Sequence, residues 1–375
     1  MQLVPNESQT LLKQNAHALF RERARVGRLR VLRDDKDPVG FSRELWREMA
    51  ALGWVGLALP EQYEGLGLGM SDLCVVLEEA GRQLAPEPWI STVLLGAQAL
   101  VLGGDAEQNK QWLPRIACGE AVLALAYEEP LTHLDLARIS TRAVRTGGAL
   151  RLHGEKLQVL DGHVADALLV FARVDEGHTL FLVDPKARGV TIQRQTRVDG
   201  RNAALIRFED VAVGAQAMVG QGGRGLELLT RVIDRATVGL CAEMLGGASQ
   251  AYEDTVEYLK TRKQFGVTLG SFQALAHRAA RLYIELALAR SAVAAAASCA
   301  DEGTPAELAK LASLAKARCS EAFVHVASEA IQMHGGIGVT DDFHIGFYFK
   351  RARAADVQFG DATHHLRRWA ALSGY

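Results

Sequence analysis

Tyr258-Leu259-Lys260-Thr261-Arg262-Lys263-Gln264-Phe265-Gly266 is the stretch from which the reading of this chain grows. It closes a run of helical periodicity with Lys260, Arg262 and Lys263, cations that complement a helix dipole, and Gly266 stands where a cap adopts a left-handed backbone. Alone, it reads as a well-formed helix C-terminus. Phe272-Gln273 follows shortly after, and further on comes Gln332-Met333-His334-Gly335-Gly336-Ile337-Gly338. Closely spaced glycines let backbone N–H groups approach an anion and form a concavity suited to a pyrophosphate, although the same glycines serve as a helix stop. An arginine able to make paired hydrogen bonds to phosphate strengthens the phosphate reading.

Working outward, Asn6 with Gln9 forms a capping box at the head of a helix reaching about Arg30. Ser42 to Leu52 is amphipathic and closes on Gly53, Pro60 to Gly69 is a glycine-rich loop, and Ser71 to Leu84 and Asp105 to Ala117 are helical in pattern. Between Ala121 and Gly220 the character changes to short alternating runs such as AVLALAY, ALLVFARV and TLFLVD, separated by Gly, Asp and Pro. Helices then return. Thr304-Pro305-Ala306-Glu307 joins a capping box to a proline at the first helical position, and the segment it opens runs to His334, where Gly335 and Gly336 stop it. The expected class is therefore α+β, with helices over 1–120, a β domain over 121–220 and a helical region like a four-helix bundle over 221–375.

Bulk properties narrow the function. A chain of 375 residues that is 49% apolar can bury a substantial core, and 42 basic against 44 acidic residues leave a net charge of -2. That balance gives no electrostatic footprint for nucleic acid or an anionic membrane. The five cysteines are widely spaced without a CxxC, which suggests neither a disulfide framework nor a zinc site. No basic stretch followed by an apolar core opens the chain, and nowhere do 18 consecutive apolar residues occur, so a cytoplasmic location is expected.

The ordered motifs carry a resemblance over nearly the whole chain. LGWVGLALPEQYEGLGLG (52–69), EQNKQWLPRIACGE (107–120), Arg262-Lys263-Gln264-Phe265-Gly266 with Phe272-Gln273, and Gln332 to Gly338 are similar to those of acyl-CoA dehydrogenases. The resemblance implies FAD as cofactor, an acyl-CoA thioester as substrate, electron-transfer flavoprotein as oxidant, and a tetramer built as a pair of dimers. It also implies that FAD lies across a subunit interface, one chain lending Arg262, Gln264, Phe265, Gln273, Gln332, Gly335 and Gly336. All seven positions match.

The other half of the implied cofactor site departs from the family. Where relatives carry Thr-Glu-Pro-Gly-x-Gly-Ser-Asp, this chain has Glu128-Glu129-Pro130-Leu131-Thr132-His133-Leu134-Asp135. Leu134 stands for the serine, Glu128 for the threonine, and Leu131 and His133 for the glycines. Gly154-Glu155-Lys156 is kept, with a turn between two strands as its plain reading, but Gln158 and Leu160 replace the tryptophan and threonine that follow it in relatives.

Desaturation of a thioester needs a positioned base to take the α proton. The family carries a glutamate at one of two places, which here are Gly360 and Ala236, so neither can accept a proton. Asp361 and Glu243 are secondary candidates, with a cap aspartate and a bundle-face glutamate as their plain readings; His364 and His365 lie near the first place. The expectation is a subunit of a heteromeric acyl-CoA dehydrogenase whose partner chain supplies the base. The alternatives are a homo-oligomeric dehydrogenase with a displaced acid, and a non-catalytic acyl-CoA-binding or scaffold protein.

Overall fold

Asn6 opens the first helix as its side chain accepts from Gln9 N–H at 2.8 Å while Gln9 Oε1 accepts from Asn6 N–H at 3.2 Å, the reciprocal capping expected from the sequence. The computed structural model describes residues 4–132, 134–146 and 149–375; His133, read above as replacing a glycine, lies outside them. The N-terminal helices are α1 (Glu7–Arg23), α2 (Val26–Asp34), α3 (Arg43–Ala51), α4 (Met70–Arg82), α5 (Gln98–Gly103) and α6 (Ala106–Ala117), with a π-helical segment, Trp89–Ala97, leading into α5. The strands are β1 (Leu123–Ala126), β2 (Arg142–Thr146), β3 (Ala149–Leu160), β4 (Ala167–Val174), β5 (Gly177–Val183), β6 (Val190–Thr196), β7 (Asn202–Val213) and β8 (Met218–Val219). Next come α7 (Gly225–Thr261), a hairpin of β9 (Lys263–Gln264) and β10 (Val267–Thr268), then α8 (Gln273–Glu302), α9 (Pro305–His334), α10 (Ile345–Val357) and α11 (Ala362–Leu372). The chain thus has an N-terminal helical part, a central β-sheet part and a C-terminal helical part.

These elements form two units, each drawn from separated segments: a β unit of 36–68 and 86–236, and a helical unit of 1–35, 69–85 and 237–375. In the β unit the sheet runs β6-β7-β3-β2-β4-β5-β8, and β1 pairs in parallel with β4. Leu152, Leu168, Val170, Phe181, Ile206, Phe208 and Val211 fill its core. Gly154 lies inside β3 and makes no turn between strands. It sits at a register shift against β7 with φ of 148°, and a Cβ there would stand 2.4 Å from Thr141 Oγ1; a bulge needs glycine when another backbone comes this close.

In the helical unit α9 is the hub, packed against α8, α10 and α11. Its start is fixed as expected, Thr304 N–H reaching Glu307 Oε2 at 2.9 Å while Glu307 N–H returns to Thr304 Oγ1 at 3.3 Å. By length and apolar content α8 could cross a bilayer, yet 44% of its most apolar window is buried within the protein. Helices α4 and α7 approach each other closely at two glycines. A Cβ added to Gly81 would stand 2.0 Å from the Glu243 carbonyl oxygen, and one added to Gly246 would stand 1.8 Å from the Glu78 carbonyl oxygen. Neither backbone can yield without parting the helices. Gly246→Ala is therefore expected to destabilise the chain by about 2 kcal/mol or more in denaturant unfolding, even after the roughly 1 kcal/mol that alanine gains over glycine in a helix. Gly346→Ala on α10, with nothing within 4 Å of the added carbon, should be neutral or slightly stabilising.

Candidate functional site

The end of α7 differs from the expected cap. The helix stops at Thr261, and Lys263-Gln264 pairs with Val267-Thr268 across a two-residue turn in which Phe265 and Gly266 have φ of 53° and 81°. Positive φ at both central residues is what a tight hairpin of this hand requires, so Gly266 serves the turn and Phe265 accepts a left-handed backbone. Arg262 N–H donates to the Tyr258 carbonyl at 2.8 Å, and Leu269 N–H donates to the Arg262 carbonyl at 2.8 Å. Phe265, 89% exposed, meets Phe272 edge-on at 6.2 Å, and Gln273 opens α8.

The glycine loop lies against this hairpin's root. Gly335 ends α9 with φ of 65° and begins a 3₁₀ turn, Gly335–Val339, and no atom lies within 4 Å of where a Cβ on Gly335 or Gly336 would be. Tyr258 Oη donates to the His334 carbonyl at 3.3 Å, and the two rings stack 4.3 Å apart. His334 Nδ1–H donates to the Ala330 carbonyl at 2.7 Å, and burial lowers its pKa and favours the neutral ring. Both residues stand inside the motifs quoted from the sequence, but their stacking joins positions far apart in the chain and so escaped that reading. Arg262, Gln264, Phe265, Gln273, Gln332, Gly335 and Gly336 are all solvent-exposed on this one unit. A guanidinium free to fork onto phosphate and unobstructed backbone at two glycines suit an anionic dinucleotide.

The β unit handles its corresponding segment differently. Glu129 turns inward: its carboxylate accepts from Lys156 Nζ at 2.7 Å, Ser140 N–H at 2.6 Å, Ser140 Oγ at 2.6 Å and Thr141 N–H at 3.0 Å. Burial alone would raise this carboxyl, but the Lys156 charge and these donors outweigh it and bring the pKa to about 2. Burial draws Lys156 down to about 8 against the pull of Glu129. Glu128 accepts from Tyr127 Oη at 2.8 Å, and burial raises its pKa. Leu131 is 93% exposed, Asp135 caps a 3₁₀ turn through Ala137 N–H at 3.2 Å, Gln158 is exposed with φ of 50°, and Leu160 is buried. Side chains at these positions offer a phosphate no hydroxyl where relatives have serine and threonine, so this half does not fit the dinucleotide as the helical half does. Asp161, unremarked in the sequence, is a buried carboxyl raised by burial, accepting from Ser91 Oγ at 2.6 Å and Asn202 Nδ2 at 3.0 Å. No local signal marks it, because those partners are 70 and 41 residues away.

The base positions are likewise occupied by structure. Ala236 is fully buried in the β unit. Gly360 is buried with φ of 110°. Asp361 caps α11, accepting from His364 N–H at 2.8 Å. Glu243, 3% exposed, pairs with Arg351 at 3.1 Å inside the helical unit. Both acids thus take their plain structural parts.

The chain is similar to known proteins over most of its length. Family models described as acyl-CoA dehydrogenase N-terminal, middle and C-terminal domains match residues 6–120, 124–211 and 223–371. The acyl-CoA dehydrogenase FadE27 of Mycobacterium tuberculosis is 32% identical over 340 residues, covering 89% of each chain. Among solved structures, the ChsE4-ChsE5 complex from Mycobacterium tuberculosis matches with a TM-score of 0.91 at 30% identity, covering 100% of both chains. A variant of the Tcur3481-Tcur3483 steroid ACAD matches with a TM-score of 0.88 at 35% identity over 98% of each.

The Glu129–Lys156 pair yields a prediction of sign and window. A carboxyl lowered from 4.5 to about 2 in the folded state contributes stability that is fully present above the unfolded value and is lost as pH falls from about 4.5 to about 2. Lys156→Met should cost about 3–5 kcal/mol at pH 7 by stranding the carboxylate, and the difference from the parent should shrink at pH 3. Urea unfolding at both pH values reads this directly.

Proposed function

The chain belongs to the acyl-CoA dehydrogenase family, whose enzymes dehydrogenate acyl-CoA thioesters with FAD, and we propose that it acts as one subunit of a two-chain dehydrogenase. In this reading it lends Arg262, Gln264, Phe265, Gln273, Gln332, Gly335 and Gly336 to a flavin held mainly by a partner chain, and the partner supplies the base.

The observation that carries the proposal is an asymmetry. The lending residues are intact and exposed together on the helical unit, whereas the receiving segment of the β unit has Glu128, Leu131 and Leu134 at its contact positions and its one retained glutamate is bound to Lys156. FAD, when bound, supplies the hydride acceptor. The chain's own part would be to bind and orient: Arg262 by charge and paired hydrogen bonds, Gly335 and Gly336 by backbone N–H groups, Phe265 by an exposed ring. Removal of the α proton needs an oxygen that is free to take it, and Asp361 and Glu243 are held as a helix cap and an ion pair. The similarity to a solved two-component complex, ChsE4-ChsE5, supports the same reading, and the family resemblance alone points to electron-transfer flavoprotein as the oxidant.

Purified alone, the chain should carry little flavin and fail to reduce an artificial electron acceptor with acyl-CoA; co-expressed with a family member that keeps its glutamate, it should yield a yellow, active complex. Full flavin stoichiometry and turnover by the lone chain would establish the homo-oligomer with a displaced acid instead. Within the complex, Arg262→Ala should weaken FAD retention by about 10- to 100-fold, the value of a charged hydrogen bond, measured by flavin release on dilution.

A further inference from the structure

The turn from Asp356 to Asp361 is held from inside the helical unit at the carbonyls of Asp356, Phe359 and Gly360. Lys316, fully buried on α9, donates from Nζ to the Asp356 carbonyl at 2.8 Å, to the Gly360 carbonyl at 2.7 Å and to Ser320 Oγ at 3.0 Å. Those three bonds use all three N–H donors of an ammonium. His365, buried on α11, donates from Nε2 to the Phe359 carbonyl at 3.0 Å, and Gly360 N–H returns to the Val357 carbonyl at 3.2 Å. Under these ties Phe359 and Gly360 take φ of 63° and 110°. The second value suits glycine and strains any residue that has a Cβ.

The side-chain direction at Gly360 is also filled. A Cβ there would stand 2.5 Å from His364 Cδ2 and 3.2 Å from His365 Nε2. The two imidazoles meet edge to face, their centroids 5.1 Å apart, so His364 cannot move toward His365 to make room. Backbone conformation and occupied space are separate obstacles, and both act on the same carbon.

We propose that Gly360 is a required glycine: Lys316 and His365 are positioning residues that hold the turn in a glycine-only geometry, and His364 closes the space from which a carboxylate-bearing side chain would start. The proposal deepens the subunit reading and takes its functional meaning from it. The base is excluded at this place by the packing of α9 and α11, so a single substitution cannot restore it. This divides labour between two chains by steric design.

The test is a pair of double-mutant cycles on the full chain, read by denaturant unfolding. Gly360→Ala should lower the midpoint, and His364→Ala in the same chain should recover about half of that loss or more, because it removes the contact and leaves the backbone strain. The cost of Gly360→Ala should also be smaller in a Lys316→Met background, a coupling that simple loss of a buried ammonium would not produce. If Lys316→Met does not fold, the His364 cycle decides. In the acyl-CoA assay Gly360→Glu should gain no turnover over the parent. Strictly additive effects in the His364 cycle, or a Gly360→Glu chain as stable as the parent and newly active, would overturn the proposal while leaving the subunit reading in place. Turnover by the unaltered chain overturns the subunit reading and leaves the cycles to stand or fall by themselves.

Discussion

Lys316 carries an ammonium into the middle of the helical unit, where water cannot answer it and three oxygens of the chain must. The same requirement recurs at Glu129 with Lys156 in the β unit and at Glu243 with Arg351 in the helical one. An isolated buried charge costs several kcal/mol, and breaking such a pair costs about 3–5 kcal/mol. Each pair therefore locks the elements that bring it together. Glu129 holds the chain after β1 to Lys156 on β3, Glu243 ties α7 to α10, and Lys316 ties α9 to the turn before α11.

This use of charge has a chemical consequence. A carboxylate that answers a buried cation is poorly placed to take a proton from carbon, since leaving its partner reinstates the desolvation penalty. Asp361 is engaged differently, as the exposed acceptor that starts α11. The acids that sequence alone would nominate as substitutes for a missing glutamate are spent on the fold.

What the helical unit does expose is the edge that the subunit proposal assigns to the flavin. The hairpin after α7 forces Phe265 into a left-handed backbone with its ring almost wholly in solvent, touched edge-on by Phe272. Tyr258 and His334 fasten the base of that hairpin to the glycine loop, so Arg262 and Gly335 are presented as one rigid edge. Ile337 and Val339 extend its exposed apolar surface. Within the subunit proposal, this is the face whose complement lies on another chain.

Much of this was legible in the sequence because it is set by neighbours a few residues apart. Capping boxes at Asn6 and Thr304 act over three residues, strand alternation over two, and the order of helical, β and helical regions follows from those local rules. The motifs that carry the family resemblance were legible as an ordered set, each written in one short stretch. Tertiary structure decided where partners lie far apart: that Gly266 turns a hairpin and caps no helix, that Gly154 sits in a bulge facing Thr141, that Asp161 is reached by Ser91 and Asn202, that β1 runs parallel beside β4. It also decided the meaning of Gly360. In the sequence that residue is only an absence; in the fold, a buried lysine, two histidines and a positive φ make it the one residue type the space admits.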